Sequence, residues 1–430
     1  MPSEVHSAEM IQSEIEQVFR AEYGRVLATL ISGLRDFNLA EDVLQEAFII
    51  ALEKWPQSGI PRKPGAWLTT AARRKAIDRL RRIKKWQDTD PHALDRQKVI
   101  VDLSKEMSEE VPDERLKLIF TCCHPAINLD AQVALTLNTL GGLSTAEIAK
   151  AFLMPKATMA QRLVRAKRKI KAAGIPYKVP PAQQIPERLD AILHVIYLIF
   201  NEGYSAASGE NLIREDLCKE AIRLAVVLTD LLQKDHRLNE DSEALGLLAL
   251  MLLHDARRLA RTGKSGEMLL LDEQDRSLWN QKQIETGIAI LDRAFAKRDV
   301  GPYQIQAAIS ALHAEAKTAA ETDWKQIALL YSTLIQISPD NAIVRLNHAV
   351  ASAMADGPLR GLALLEPLEA ELQDYYLFHA AKADFSRKAG WPDEAIASYQ
   401  SALELTDNGI EKAFLQKQID QTYASADQDH

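Results

Sequence analysis

Residues 143 to 171 read LSTAEIAKAFLMPKATMAQRLVRAKRKIK. The segment opens with a capping box, in which the Ser144 hydroxyl and the Glu147 carboxylate each satisfy a free amide at the start of a short helix. A turn at residues 153 to 155 follows, and a second helix with a basic outer face begins near Lys156. A helix, a short turn and a basic helix form the pattern of a helix-turn-helix motif. The segment therefore predicts a DNA-reading module.

The charge around this motif differs from that of the whole chain. Between Glu147 and Glu187 there are nine Lys or Arg residues and no acidic residue, whereas the chain has a formal charge of −8. A second basic helix is predicted earlier, where residues 73 to 85 read RRKAIDRLRRIKK. A basic stripe on a helix is typical of a phosphate-binding surface. Two such stripes, each behind its own apolar helical unit, indicate two DNA-binding modules on one polypeptide.

Length and composition describe an ordinary globular protein. The chain has 430 residues, of which 47% are hydrophobic and 26% charged, so it can bury several cores. No apolar run reaches the roughly 18 residues that a membrane helix needs, and the N-terminus lacks the pattern of a signal peptide. Cys122, Cys123 and Cys218 form an odd set without a disulfide framework. We therefore expect a cytoplasmic protein with no membrane partner.

Helical periodicity runs through nearly the whole sequence, and strand signals are almost absent, which predicts an all-α fold. Asn38 is the expected N-cap of a helix that continues through Lys54 and ends at Trp55-Pro56. A loop at residues 57 to 65 precedes the first basic helix, which is expected to start near Ala66. Residues 86 to 115 carry nine acidic and four basic residues and are interpreted as a linker.

The last part of the chain has a rhythm of about 34 residues, the length of a tetratricopeptide unit. Ala395, Tyr399 and Ala402 have the small-aromatic-small spacing of the second helix of such a unit. A generic helical bundle is the alternative. With a proline-rich boundary at Pro176–Pro186, the predicted domains are a helical bundle at 8–85, an acidic linker at 86–114, a helix-turn-helix unit at 115–175, a helical extension at 186–317 and tetratricopeptide-like repeats at 318–425.

One more motif precedes the first basic helix. Asp42, Gln45 and Glu46 lie three and four residues apart and so share one helical face. Alone, such a face is more often solvated surface than an interface. In this order, with the loop and the basic helix behind it, the segment resembles region 2 of bacterial extracytoplasmic-function (ECF) sigma factors. Residues 115 to 173 resemble region 4 of the same family, with LSTAEIA and TMAQRLVRAK as the counterparts.

The remaining 250 residues or so resemble the C-terminal extension of one ECF subgroup, which carries a tetratricopeptide-like domain. The blocks that support this resemblance are IFNEGYSA at 199–206, LLHDARR at 252–258 and GPYQIQAAI at 301–309. The resemblance implies a regulatory domain with a protein or ligand as its partner. It does not fix whether that domain activates or inhibits.

The resemblance also implies a set of site residues. Asp42, Gln45 and Glu46 would bind the β′ clamp helices of core RNA polymerase, with the β flap as a further contact, and promoter DNA would be the second partner. The −10 element would be melted and bound by the bundle, with residues 57–65 as its specificity loop, and the −35 element would be read by the second basic helix. The expected DNA-binding residues are Arg62, Lys63, Arg73, Arg74, Lys75, Arg79, Arg82, Lys156, Thr158, Gln161, Arg162 and Arg165. Lys167, Arg168, Lys169 and Lys171 are expected to meet phosphates or solvent.

For several motifs the sequence leaves two possible roles. Trp67 either stacks on a base or packs inside the bundle. Residues 122 to 124 (Cys-Cys-His) lack a second ligand pair at zinc spacing, so a structural role is expected. His254-Asp255 with Arg257 and Arg258 suggests a buried polar network or an interdomain contact rather than a catalytic site. We expect no catalytic residue, no metal and no cofactor. The rival functions are a helix-turn-helix regulator or a peptide-binding scaffold, each acting without polymerase.

Overall fold

The computed structural model describes residues 2–86, 113–152, 154–204, 215–235, 241–263, 269–406 and 408–426. These parts of the chain contain nineteen α-helices and no β-strand, so the predicted all-α fold class is confirmed. Nearly all of the predicted acidic linker lies outside the described residues. The chain forms two compact units, Met1–Leu198 and Ile199–His430.

The first unit begins with a three-helix bundle, named here the N-terminal bundle. It continues with four helices, named here the helix-turn-helix unit, and with the start of an eighth helix. The bounds are α1 Pro2–Leu34, α2 Phe37–Ser58 and α3 Pro64–Trp86 in the bundle; α4 Arg115–Cys122, α5 Leu129–Thr139, α6 Thr145–Ala151 and α7 Lys156–Ala172 in the helix-turn-helix unit; and α8 Ile185–Tyr204.

Helix α2 starts and ends differently from its prediction. Asp36, not Asn38, is the N-cap, because its carboxylate accepts the amides of Asn38 and Leu39 at 3.0 and 3.1 Å. Pro56 does not end the helix but lies inside it, three residues before Gly59. Trp55 is completely buried and anchors this last turn, and its carbonyl accepts the Gly59 amide at 2.9 Å.

The boundary between the two units falls within α8 and not in the proline-rich segment where it was predicted. The reason is that this segment packs on the first unit. The Tyr177 hydroxyl donates to the Ala28 carbonyl at 2.8 Å, and Arg188 donates to the Phe120 carbonyl. Residues 176 to 188 therefore belong to the first unit rather than to a linker.

The second unit contains the end of α8 and eleven further helices in the parts that the structure describes. Their bounds are α9 Glu215–Lys234, α10 Ser242–Asp255, α11 Gln281–Phe295, α12 Pro302–Glu315, α13 Trp324–Ile337, α14 Ala342–Asp356, α15 Pro358–Leu365, α16 Glu369–Leu372, α17 Tyr376–Lys388, α18 Pro392–Leu405 and α19 Gly409–Ala426.

Consecutive helices of the second unit pack against each other, as α13 does on α14, α17 on α18 and α18 on α19. Ala395, Tyr399 and Ala402 are all buried on one face of α18, where the small residues allow neighbouring helices to approach. This stacking is compatible with the predicted repeats, and the tetratricopeptide-like assignment itself stays a prediction. Within the described ranges, every helix is too short or too polar to cross a membrane.

Candidate nucleic-acid and polymerase interface

The helix-turn-helix motif forms where the sequence predicts it. The capping box at the start of α6 is complete, with the Ser144 amide donating to the Glu147 carboxylate at 2.7 Å and the Glu147 amide donating to the Ser144 hydroxyl at 3.2 Å. Ile148 and Ala149 form the buried face of α6. Pro155 is the N-cap of α7, and its carbonyl accepts the Thr158 amide at 3.0 Å, so the missing side-chain cap leaves the helix intact.

Helix α7 has one buried apolar face and one exposed polar face. Its buried residues are Met159, Leu163, Ala166 and Ile170, which recur at the spacing of a helix that packs on one side. The exposed face carries the predicted base-reading residues Lys156, Thr158, Gln161 and Arg165. The sequence period alone therefore places these side chains on the solvent side of the motif.

Arg162 differs from its neighbours on α7. Its guanidinium lies 3.3 Å from the Asp130 carboxylate at the start of α5, and its side chain is half-buried. Asp130 is largely exposed, and such surface ion pairs contribute about 0–1 kcal/mol. Arg162 can therefore exchange this partner for a DNA phosphate or base at small cost.

The basic residues of α3 do not all face solvent. Arg74 and Arg82 are exposed, as predicted for DNA contacts. Arg73 is only 6% exposed, because it lies on the same helical face as Ala76 and Leu80, which are buried at positions i+3 and i+7. We therefore correct the prediction for Arg73, whose side chain belongs to the interior of the bundle and not to a DNA-binding surface.

The acidic face of α2 and the basic face of α3 form one network. Arg79 lies 2.6 Å from the Asp42 carboxylate and 3.6 Å from the Glu46 carboxylate, and Lys75 lies 3.6 Å from Glu46. All four side chains are about half exposed, so these pairs are weak and exchangeable. Gln45 is exposed beside them. The predicted polymerase-binding and DNA-binding residues are thus neighbours in space.

The loop before α3 presents Arg62 and Lys63 to solvent, where the resemblance places the −10 specificity loop. Behind the loop, Trp67 packs edge-to-face on the buried Trp55, with ring centroids 5.3 Å apart and an interplanar angle of 63°. Such a pair stabilises a core by about 0.5–1.5 kcal/mol beyond the area that it buries. This contact favours the packing role of Trp67 over base stacking.

Lys167 joins the two halves of the first unit. Its ammonium lies 2.6 Å from both carboxylate oxygens of Glu41 on α2 and 3.4 Å from the Asn138 side-chain oxygen. Only 11% of the Lys167 side chain and 16% of the Glu41 side chain are exposed. In this arrangement the Lys167 ammonium is thus held by protein, and the predicted contact with phosphate or solvent would require the two halves to separate. No sequence signal links two residues that are 126 positions apart.

Two further contacts support this docking of the helix-turn-helix unit on the N-terminal bundle. A side chain at Gly24 would place its Cβ 2.8 Å from the Leu140 carbonyl oxygen, so only glycine allows α1 to approach α5 this closely. Tyr177 reaches back to the Ala28 carbonyl at 2.8 Å. A cavity of about 550 Å³ remains between the two parts, lined by Ile31 and Ile170 among others. The docking is specific, and its interface is incompletely packed.

The two adjacent cysteines have structural partners. The Cys122 thiol lies 3.2 Å from the Thr139 hydroxyl, and the Cys123 thiol lies 3.6 Å from the Thr136 hydroxyl. Burial raises the pKa of Cys123 to about 12, so its thiol is protonated at neutral pH. A buried, protonated thiol is unreactive.

Comparison with known proteins identifies both halves of the first unit. Residues 18–87 match sigma-70 region 2, residues 117–170 match sigma-70 region 4, and residues 188–295 match a family of unknown function, DUF6596. An uncharacterized protein of Rhizobium meliloti (strain 1021) is 40% identical over 404 residues, which cover 92% of this chain and 93% of that protein. That relative therefore spans both units. The chain therefore contains the region 2 and region 4 domains of sigma-70 factors, which support a sigma factor that binds core RNA polymerase and promoter DNA.

Proposed function

We propose that this sigma factor melts and binds the −10 element with α3 and the loop before it, and that it reads the −35 element with α7. Asp42, Gln45 and Glu46 on α2 bind the β′ clamp helices of core RNA polymerase. The β flap is a further contact surface of the polymerase. The observation that carries this proposal is that two basic helices, each within its own sigma-70 domain, present polar faces to solvent.

Each basic helix is suited to a different task. On α7, Arg165 can bind guanine through two hydrogen bonds, and Gln161 suits adenine in the same way. On α3, Arg74 and Arg82 are suited to the phosphates of melted DNA. Flipping a base costs a few kcal/mol, which contacts with the polymerase and a protein pocket have to offset.

The docked arrangement of the first unit cannot bind both promoter elements. The −10 and −35 elements are about 25 base pairs apart, or about 85 Å along B-form DNA. A compact body of this size has a radius of gyration of about 16 Å. We infer that the arrangement closed by Lys167 and Glu41 is a resting state. The helix-turn-helix unit must separate from the N-terminal bundle before the promoter is bound.

Transcription in a purified system tests the proposed function. The protein, mixed with core RNA polymerase, should start transcription at defined promoters that neither component uses alone. A map of transcript starts after overproduction should then reveal the −10 and −35 sequences. Specific DNA binding without any start of transcription would favour the rival helix-turn-helix regulator. Binding of peptides alone would favour a scaffold.

We expect Arg165→Ala to relax sequence preference at the −35 element. A lost base contact costs about 1–3 kcal/mol at the base concerned and leaves other positions unchanged. Lys169→Ala on the same helix is the matched control, since a lost phosphate contact weakens binding evenly and lowers the salt dependence. Affinities for a panel of −35 variants distinguish the two. Equal affinity of Arg165→Ala and wild type on every variant would remove Arg165 from the interface.

We also propose that the C-terminal unit sets the activity of the sigma regions. A covalently attached domain meets its target at a millimolar effective concentration, so even a weak interaction is populated. Truncation after Leu198, at the boundary of the two units, should change promoter-reporter activity measurably in one direction. Circular dichroism shows whether the shortened chain keeps its helices. A folded truncation with the activity of the full chain would contradict the regulatory role.

A further inference from the structure

The second unit contains a group of three arginines held together by two aromatic rings, named here the arginine cluster. The guanidinium carbons of Arg257 and Arg276 lie 5.7 and 4.5 Å from the centre of the Trp279 ring. Arg257 also donates to the Tyr204 hydroxyl at 3.2 Å. The guanidinium of Arg261 lies 3.8 Å from the centre of the Tyr204 ring. Arg257 is therefore the central member, in contact with both rings.

The hydrogen-bond partners of the cluster are neutral. Arg261 donates to the Tyr204 carbonyl, and Arg276 donates to the carbonyls of His313 and Ala316 at 2.6 and 2.7 Å. One terminal nitrogen of Arg276 is buried without an acceptor, and so is the indole nitrogen of Trp279. Two buried donors of the cluster are thus without an acceptor.

Arg258, the next residue after Arg257, has the carboxylate partners that the arginine cluster lacks. Its guanidinium lies 2.8 Å from the Asp255 carboxylate and 3.1 Å from the Glu215 carboxylate. Asp255 also accepts the Gln283 side-chain amide at 2.9 Å. Within the described ranges, none of the three cluster arginines forms an ion pair with a carboxylate. The three guanidinium groups are only partly buried, and this group of cations without a direct carboxylate partner is placed to bind an anion.

The electrostatics of the surrounding groups agree with this geometry. Burial, together with the nearby guanidinium of Arg257, lowers the pKa of Arg261 and of Arg276. Burial and the same arginines lower the pKa of His313 to about 4, so its ring is neutral at pH 7. The pKa of His254 is also well below its ordinary value, chiefly because of burial. The histidines thus add no positive charge to that of the guanidinium groups, and the nearby Glu321 carboxylate acts in the opposite sense by raising the pKa of Arg276.

Space for a ligand lies next to the cluster. Arg261 lines a cavity of about 380 Å³, whose walls include apolar side chains such as Leu377 and Phe414. The Glu411 carboxylate on the same wall already accepts the Tyr376 hydroxyl at 2.6 Å. Pockets for small molecules have volumes from about 300 Å³ upward and combine apolar walls with a few polar groups.

We propose that the arginine cluster binds the phosphate or carboxylate group of a small-molecule ligand, whose apolar part occupies the adjoining cavity. Guanidinium forks bind either group through paired, charge-assisted hydrogen bonds. The bound anion supplies the direct ion-pair partner that the cluster arginines lack among the described residues. The second unit is then a ligand-binding domain, and the LLHDARR block at 252–258 provides the central arginine.

Thermal unfolding of the full-length protein tests this proposal, with inorganic phosphate, acetate and chloride compared at one ionic strength. A bound anion stabilises the folded state in proportion to the logarithm of its concentration above Kd. Phosphate or acetate should therefore raise the unfolding midpoint above its value in chloride, by an amount that grows with the logarithm of concentration above Kd, and the anion that does so identifies the group. No rise beyond that in chloride with either anion would overturn the proposal.

Arg257→Met separates a ligand site from a structural cluster. In chloride it should unfold at the wild-type temperature or above, because it removes repulsion between neighbouring, partly buried cations, and it should lose the response to the anion. Arg258→Met is the matched control, since it breaks two ion pairs and should lower the midpoint while keeping the response. Arg261→Met repeats the test at a second member of the cluster. A lower midpoint with an unchanged anion response in both cluster variants would show a structural role only and contradict the proposal.

A counter-charge from the chain itself would give a different result. Glu210 and Glu267 lie outside the described residues and are the carboxylates to examine. If Glu210→Gln or Glu267→Gln lowers the unfolding midpoint, and no anion raises the midpoint of the wild type, the chain neutralises its own cluster and the proposal is wrong. An unchanged midpoint in both variants, with the anion response kept, supports it.

Discussion

Glu41→Gln should open the first unit and speed promoter binding by about 10- to 100-fold. The substitution leaves the Lys167 ammonium without its carboxylate in a largely buried place, which destabilises the docked state by up to about 3–5 kcal/mol. The separated state, in which Lys167 reaches water, loses nothing. Energy transfer between dyes at Gln57→Cys and Lys169→Cys, both exposed positions, should fall without polymerase or DNA present. The three native cysteines are buried and should resist labelling.

A second route to the same opening tests whether separation, and not the loss of one charge, is the cause. Gly24→Leu introduces a side chain that would overlap the Leu140 backbone, so α5 must move away from α1. It should lower the energy transfer and speed promoter binding as Glu41→Gln does. Unchanged energy transfer in both variants would mean that the two parts are already apart in solution.

The second large effect is expected on α2 and α3. Arg74→Ala with Arg82→Ala should abolish open-complex formation but keep the affinity for core polymerase, because both side chains face solvent on the basic helix. Asp42→Ala with Gln45→Ala should weaken polymerase binding by at least about tenfold, since central interface contacts often contribute 2 kcal/mol or more. Binding of labelled core enzyme and permanganate reactivity of the promoter measure the two steps separately.

Arg79 and Arg73 serve as internal controls for that comparison. Arg79→Ala should affect both steps, because its guanidinium contacts Asp42 and Glu46. Arg73→Ala should lower stability, since the residue is buried in the bundle. If the Arg74 and Arg82 variant lost polymerase binding as severely as the acidic-face variant, the assignment of separate roles to α2 and α3 would be wrong.

Local sequence patterns were sufficient for the helix-turn-helix motif. The capping box at Ser144 and the spacing of Met159, Leu163 and Ala166 depend on interactions within a few residues, which a sequence displays directly. The solvent-facing side of α7 follows from the same period. Lys156, Thr158, Gln161 and Arg165 accordingly lie on the exposed face, and their role at the −35 element stays a proposal.

Predictions failed where the answer depended on distant parts of the chain. Whether Arg73 or Arg74 faces the core depends on how α3 packs on α1 and α2, and the local sequence does not reveal this packing. The contact of Lys167 with Glu41 joins residues in separate domains. The prolines near Tyr177 indicated a domain boundary, yet a hydrogen bond to α1 holds that segment on the first unit.

The arginine cluster also could not be predicted from the sequence. Its arginines come from the segments after α10 and before α11, its Tyr204 ring comes from α8, and each arginine alone is typical of a solvated surface. The block at 252–258 was recognised by resemblance, but no role followed from its spacing. Only the convergence of Arg257 with Tyr204 and Trp279 distinguishes this group from ordinary surface charge.

The ion pairs between α2 and α3 have a thermodynamic consequence. In the free protein, Asp42 and Glu46 partly neutralise Arg79 and Lys75, which lowers the attraction of this surface for nonspecific DNA. Under the proposed function, polymerase takes over the carboxylates and releases the cations. Such a coupling is reciprocal, so promoter DNA that binds Arg79 strengthens the binding of polymerase by the same factor. The exchange of partners would make holoenzyme, and not the free protein, the species that searches DNA.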